Sequence, residues 1–217
     1  MDEKAIARTL RRMASEIVER NEGTDDLCFV GIRTRGVVLA NRLQELVRQK
    51  EDVLLPLGVV DITLYRDDAI HGLPDPEVGP TRLDFSIRDK KVVLVDDVLY
   101  TGRTVRAALD ELMDFGRPKK VELAVLVDRG WRELPIQADY VGISLDTKLD
   151  QRVRVLLTDP DGREEVVVLA LTEELDGATE ELDGATEELD GATEELDGAT
   201  EELDGATEEP NKGVRKS

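Results

Sequence analysis

The sequence predicts an α/β fold, a central and mainly parallel sheet flanked by helices, with a low-complexity acidic C-terminal tail. Three observations carry this. Short apolar runs alternate along the chain with stretches of helical period, the pattern of parallel sheets covered on both faces. The apolar run Val92–Val95 closes on two acids, Asp96 and Asp97, and opens into a glycine-containing loop. From Thr172 to Ala206 the unit TEELDGA repeats five times without a change.

Ile6, Leu10, Met13, Ile17 and Val18 recur at helical spacing, which predicts a helix over 3–21 stopped at Asn21-Glu-Gly-Thr-Asp-Asp. Residues 27–32 (LCFVGI) read as a buried strand, and Thr34-Arg35-Gly36 as a tight turn. Val38, Leu39, Leu43, Leu46 and Val47 place a second helix over 37–49, and a strand follows over 57–64. Gly72, Pro74, Pro76, Gly79 and Pro80 break residues 67–82 into an irregular excursion. A strand over 92–95 leads to a helix over 104–115, stopped at Gly116-Arg-Pro. Another strand spans 121–127, with shorter ones at 140–141, 153–157 and 166–169.

Composition divides the chain into a body, 1–171, and a repeat tail, 172–217. The repeats with Thr207–Glu209 carry 17 acidic residues and no Lys or Arg, and Pro210–Ser217 adds three cations. Of the 49 acidic and 29 basic residues, 32 and 26 therefore fall in the body, so most of the net charge of -20 belongs to the tail. A body so balanced leaves room for a local basic surface. Each repeat spends a position on Gly, at about 1 kcal/mol of helicity relative to Ala, and stacks like charges. A frayed helix or coil is the expectation for the tail.

The single Cys28 excludes an internal disulfide and suits a reducing compartment. Its apolar setting predicts an inert, buried thiol; a catalytic thiolate would want a histidine, and the only one, His71, lies in the excursion. No apolar run reaches the roughly 18 residues of a bilayer span, and the N-terminus lacks the apolar core of a secretory signal. A soluble, cytoplasmic protein is expected.

The chemistry concentrates in 92–104, VVLVDDVLYTGRT. Open α/β sheets place ligands at the carboxyl ends of their strands, where Asp96 and Asp97 fall. Thr101, Gly102 and Thr104 then line a loop that allows close backbone approach, and the helix beginning near Thr104 offers unpaired N–H groups. Acids beside an anion cradle suit one ligand that carries both hydroxyl donors and a phosphate. The alternative is an ordinary strand–loop–helix whose acids cap the helix or face solvent.

The segment resembles the phosphoribosyl pyrophosphate (PRPP) motif of type I phosphoribosyltransferases. With GIRTRG, DITLYRDD and LVDRGWRELPIQADYVG in order, the chain from about residue 2 to 171 is similar to the PyrR family. That family combines regulation of bacterial pyrimidine operons with uracil phosphoribosyltransferase activity. The resemblance implies a type I phosphoribosyltransferase fold that converts uracil and PRPP to UMP and pyrophosphate, with Mg²⁺ carried mainly by PRPP and no protein metal cage. Asp96 and Asp97 would hold the ribose hydroxyls, and Val98, Leu99, Tyr100, Thr101, Gly102, Arg103 and Thr104 the 5′-phosphate. Thr34, Arg35 and Gly36 match the pyrophosphate loop, or else form a plain strand–helix turn. Arg66, opening a mobile loop at Tyr65–Asp68, would contact pyrophosphate, or pair with Asp67 or Asp68. Arg129 and backbone near Val153 would face the base, unless Arg129 is a structural ion-pair arginine.

The family also implies a homodimer or higher homo-oligomer that binds pyrimidine-operon leader RNA, strengthened by uridine nucleotides such as UMP or UTP. Arg8, Arg11, Arg12 and Arg20 on the first helix, and Arg132, are the candidate RNA contacts, against a simple solvated face. Trp131, Gln137 and Ser15 replace residues that are usually His, Arg and His in that family. Two further readings stay open, an RNA-binding nucleotide sensor with little catalysis and a phosphoribosyltransferase for another base.

Overall fold

The computed structural model describes residues 1–62 and 81–170. Arg66 with its loop, the excursion up to Pro80, the predicted end of the second strand at Leu64 and the tail lie outside the described residues.

Helix α1, Glu3–Arg20, is capped by Asp2, whose carboxylate accepts the Ala5 N–H at 2.8 Å, with Glu3 favourably placed in the first turn. Strand β1 (Leu27–Ile32) leads into α2 (Arg35–Glu51), then β2 (Leu57–Val60). Strand β3 (Lys91–Leu99) is followed by α3 (Arg103–Asp114), β4 (Lys120–Asp128) and β5 (Tyr140–Ser144). The chain continues through β6 (Gln151–Leu156), the short α4 (Thr158–Asp161) and β7 (Glu165–Ala170). No described helix is long and apolar enough to cross a membrane.

The central sheet has the order β2-β1-β3-β4-β5 and its neighbouring strands all pair in parallel, with Phe29 opposite Val93 and Val95 opposite Ala124. Both faces are buried, which is why the central strands read as continuous apolar runs. The pleat divides them cleanly. Leu27, Phe29, Val93 and Val95 join one core with Ile6, Leu10, Ile17, Leu39 and Leu43 of α1 and α2. Cys28, Val30, Val92 and Leu94 join the other with Val105, Ala108 and Leu112 of α3.

One expectation is corrected. β3 does not stop at the acids but runs through them to Leu99, because apolar Val98 and Leu99 keep their pairing with Val127 and Asp128. The short strands expected at 153–157 and 166–169 are β6 and β7, which form a separate two-stranded sheet. In β6, Val153 and Val155 are buried while Arg152 and Arg154 are exposed, so only one face is covered. The N-terminus joins this small sheet, exchanging bonds of 2.8 Å with Val166.

Candidate active site

Because the central strands are parallel, their carboxyl ends share one edge. β1, β3 and β4 each deliver a loop there. On β3, Asp96 is 6% exposed and Asp97 half-buried. Each carboxylate is oriented by the next amide: Asp97 N–H donates to Asp96 Oδ1 and Val98 N–H to Asp97 Oδ1, both at 2.9 Å.

Tyr100, Thr101 and Gly102 connect β3 to α3. Gly102 is the N-cap at φ 92, a left-handed conformation that favours glycine, and it supplies no capping side chain. Thr101 Oγ1 accepts the Arg103 N–H at 3.3 Å, which leaves Thr104 and Val105 N–H groups at an uncapped helix start. Backbone N–H groups of Glu133 and Leu134 hold the Thr101 carbonyl at 3.0 and 3.1 Å and fix the loop. Arg103 pairs with Glu133 at 2.7 Å on the surface.

After β1 the Arg33–Thr34 peptide is cis, and α2 begins at Arg35, two residues earlier than its apolar pattern indicates. Gly36 explains the close fit. A Cβ there would run into the Val95 carbonyl oxygen and stand 3.2 Å from Asp96 Cα. This glycine therefore lets the first loop lie directly against the acid pair. Arg35 makes a two-pronged pair with Asp161, at 3.0 Å from Nε and 2.5 Å from Nη2, and Leu157 N–H donates to the same carboxylate at 2.9 Å. Burial pushes the Asp161 carboxyl up, but the Arg35 and Leu157 hydrogen bonds, with the charges of Arg35 and Arg154, bring it below its usual value. Arg33 Nε stands 3.1 Å from Asp61 Oδ2, yet out of line for a hydrogen bond.

At the end of β4, Arg129 is 5% exposed. Its guanidinium lies 4.1 Å above the Tyr100 ring and donates to the carbonyls of Lys148 at 3.2 Å and Gln151 at 2.7 Å. That arrangement combines cation–π contact with fixed carbonyl acceptors. Its Nε has no hydrogen-bond partner among the described residues. Val153, two residues beyond Gln151, is buried in the core shared with α1 and α2.

The predicted residues separate into groups. The structure joins the Thr34–Gly36 loop to Asp96, and Tyr100 to Arg129. It turns Arg132 inward, donating to Tyr100, Gly130 and Ile136 carbonyls and, at 2.6 Å, to Asp128. Arg8, Arg11, Arg12 and Arg20 are exposed on α1. Of these, Arg12 donates to the Val141 and Gly142 carbonyls, and Arg20 to that of Asp139. Sequence reading missed Asp161 and Thr147, whose partners (Arg35 for the first, Arg129 and Trp131 for the second) lie in other segments of the chain. Among the described residues, no group of three or more His, Cys, Asp or Glu side chains is placed to hold a metal ion.

A phosphoribosyl transferase domain model matches residues 1–161. The bifunctional protein PyrR of Listeria welshimeri is 56% identical over 176 residues, spanning 80% of this chain and 96% of that protein. The protein of the same name from Clostridioides difficile is 55% identical over 168 residues, 77% of this chain and 95% of its own. Among solved structures, the hypoxanthine phosphoribosyl transferase of Trypanosoma cruzi is 19% identical with a TM-score of 0.61, covering 82% of this chain and 93% of that one. A hypoxanthine-guanine phosphoribosyltransferase of Bacillus anthracis is 16% identical with a TM-score of 0.58, over 78% and 95%. These two show a shared fold. With an acid pair against an uncapped helix start, and more than half of the aligned residues identical along nearly the full length of those relatives, the chain belongs to the phosphoribosyl transferase domain family and, within it, to the PyrR proteins.

Proposed function

We propose that this chain is a uracil phosphoribosyltransferase, converting uracil and PRPP to UMP and pyrophosphate. It also regulates pyrimidine genes by binding leader mRNA in response to uridine nucleotides. The observation that carries the enzymatic reading is the meeting of carboxylate acceptors and a helix start without a side-chain cap at one sheet edge, Asp96–Asp97 beside the beginning of α3. Ribose hydroxyls need the first and a 5′-phosphate the second.

In this reading Asp96 and Asp97 hold the ribose while Val98–Thr104 cradle the phosphate. Thr34, Arg35 and Gly36, with Arg66, receive the departing pyrophosphate. Arg129 and the backbone at Val153 face uracil. No covalent nucleophile is required: positive charge develops on the ribose, and fixed dipoles and excluded water stabilise it. Mg²⁺, which would be carried mainly by PRPP oxygens and water rather than by protein ligands, would supply positive charge to the leaving pyrophosphate. Residues 1–171 form the catalytic body and 172–217 an appended acidic tail. The working form is a cytoplasmic homodimer or higher homo-oligomer.

A second reading, a nucleotide-sensing RNA binder with little catalysis, draws support from Arg35, which is engaged with Asp161 in this conformation. Incubation with PRPP and Mg²⁺ plus uracil, hypoxanthine or orotate separates the readings. Product from uracil alone is expected. No product from any base, with UMP still binding, would establish the sensor.

A further inference from the structure

Five hydrogen bonds stitch the turn after β4 to residues 145–151. Leu145 N–H donates to the Asp128 carbonyl at 2.8 Å, and Arg129 donates twice, to Lys148 and Gln151. The other two meet at Thr147, a residue only 5% exposed. The Trp131 indole N–H donates to its carbonyl at 2.7 Å, and its hydroxyl donates to the Arg129 carbonyl at 3.3 Å.

We propose that Trp131 is a positioning residue for the uracil subsite, acting through Arg129 rather than by touching the base. The inference rests on the uracil phosphoribosyltransferase reading above.

Trp131 sits at φ 60, a conformation that bulky residues rarely adopt and that persists where the surroundings over-determine it. The residue is 46% exposed, so burial alone does not fix it there. The indole–carbonyl bond is the specific restraint. Through Thr147 that bond reaches both sides of Arg129: its own carbonyl, and the strip whose carbonyls at 148 and 151 hold its guanidinium. With the Tyr100 ring against the other face, the guanidinium is immobilised.

One donor of this buried group stays unmatched among the described residues, Arg129 Nε. A buried donor without an acceptor is costly, and a base carbonyl is the complement that would satisfy it. Loosening Trp131 therefore disturbs base binding before PRPP binding: Tyr100 of the PRPP-binding segment touches Arg129, but the Thr101 carbonyl is held separately by the Glu133 and Leu134 N–H groups.

The test uses the full chain with Trp131→Phe, which keeps an aromatic ring and removes the donor. The KM for uracil should rise about three- to tenfold, the range for one lost neutral hydrogen bond. The KM for PRPP and kcat should stay within about twofold. Trp131→His, which keeps a ring N–H, should recover part of the uracil KM. Thr147→Val, which removes the bridging hydroxyl, should shift it in the same direction and serves if the Phe variant folds poorly.

Trp131 is the only tryptophan, so wild-type emission should change on saturation with UMP and not with pyrophosphate. An unchanged uracil KM in the Phe and Val variants, or equal rises for uracil and PRPP, would overturn the proposal. Should the wild type form no UMP, the enzyme assignment fails separately. The inference is then decided by calorimetry, where the Phe variant must weaken UMP binding by the same factor.

Discussion

Asp97, proposed to hold the ribose, contributes little to the fold. It is half-buried, and its carboxylate accepts the adjacent Val98 N–H. Asp97→Asn keeps an oxygen for that amide and removes only the charge. The variant should melt as the wild type does, while the KM for PRPP rises about 10- to 100-fold, as expected when a charge-assisted hydrogen bond is lost. Unchanged PRPP kinetics would remove the ribose assignment. Cys28 is the opposite case, wholly buried, with burial pushing its thiol up to about 12 against a weaker pull from the Lys90 charge, so it stays protonated and inert. Both residues were legible, one as an acid after an apolar run and the other as a thiol within one. Arg129 was only half legible. Its place after β4 was readable, but the Tyr100 ring beneath it and the carbonyls at 148 and 151 belong to segments that only folding brings together.

Elements at this sheet edge are placed by close approaches, and Gly36 is the tightest of those described above. Gly36→Ala would drive a methyl group into the Val95 carbonyl. Since backbone cannot retreat as a side-chain tip can, about 1–3 kcal/mol of stability should be lost, with kcat falling as the first loop leaves Asp96. Thermal melts and steady-state kinetics check this, and a fully active, equally stable Ala variant would show that the loop packs elsewhere. The amphipathic helices and the parallel strands were legible because both obey simple periods. Short strands at 153–157 and 166–169 were legible, but strands so short do not reveal which sheet they join. Another join was invisible in sequence: Glu122, 2% exposed on β4, receives Asn21 Nδ2 at 2.7 Å and Tyr140 OH at 3.0 Å and pairs with Lys120. Burial alone would raise its carboxyl, but these three hydrogen bonds outweigh it and hold the group below its ordinary 4.5. The folded state thus releases the proton more readily than the unfolded one. The stabilisation is complete above the ordinary carboxylate range and is lost as pH falls through the depressed value. Melting temperature followed from neutral to strongly acidic pH should fall less steeply for Glu122→Gln than for the wild type. Parallel curves would show that the network does not contribute to acid stability.

For the whole molecule, charge and core point to the same division of the chain. The acidic excess lies mostly beyond residue 171, whereas both described cores are closed by residues between Ile6 and Val166. Composition made that boundary legible, because an invariant TEELDGA unit contains no aromatic and no cation. It could not reveal how the N-terminus is secured, which depends on the Met1–Val166 bonds across the full length of the body. Removing residues 172–217 should therefore leave the melting temperature within about 2 °C, as expected when no cooperative contact is lost, and kcat for UMP formation unchanged. RNA affinity should respond differently. Deleting 17 acidic residues and three cations removes a polyanion that opposes association with another polyanion. The shortened protein should bind leader RNA more tightly at low salt, with the advantage shrinking as added salt screens the charges. A collapse in thermal stability on truncation would instead make the repeats part of the folded body, and equal RNA affinity at every salt concentration would show that their charge never reaches the binding surface.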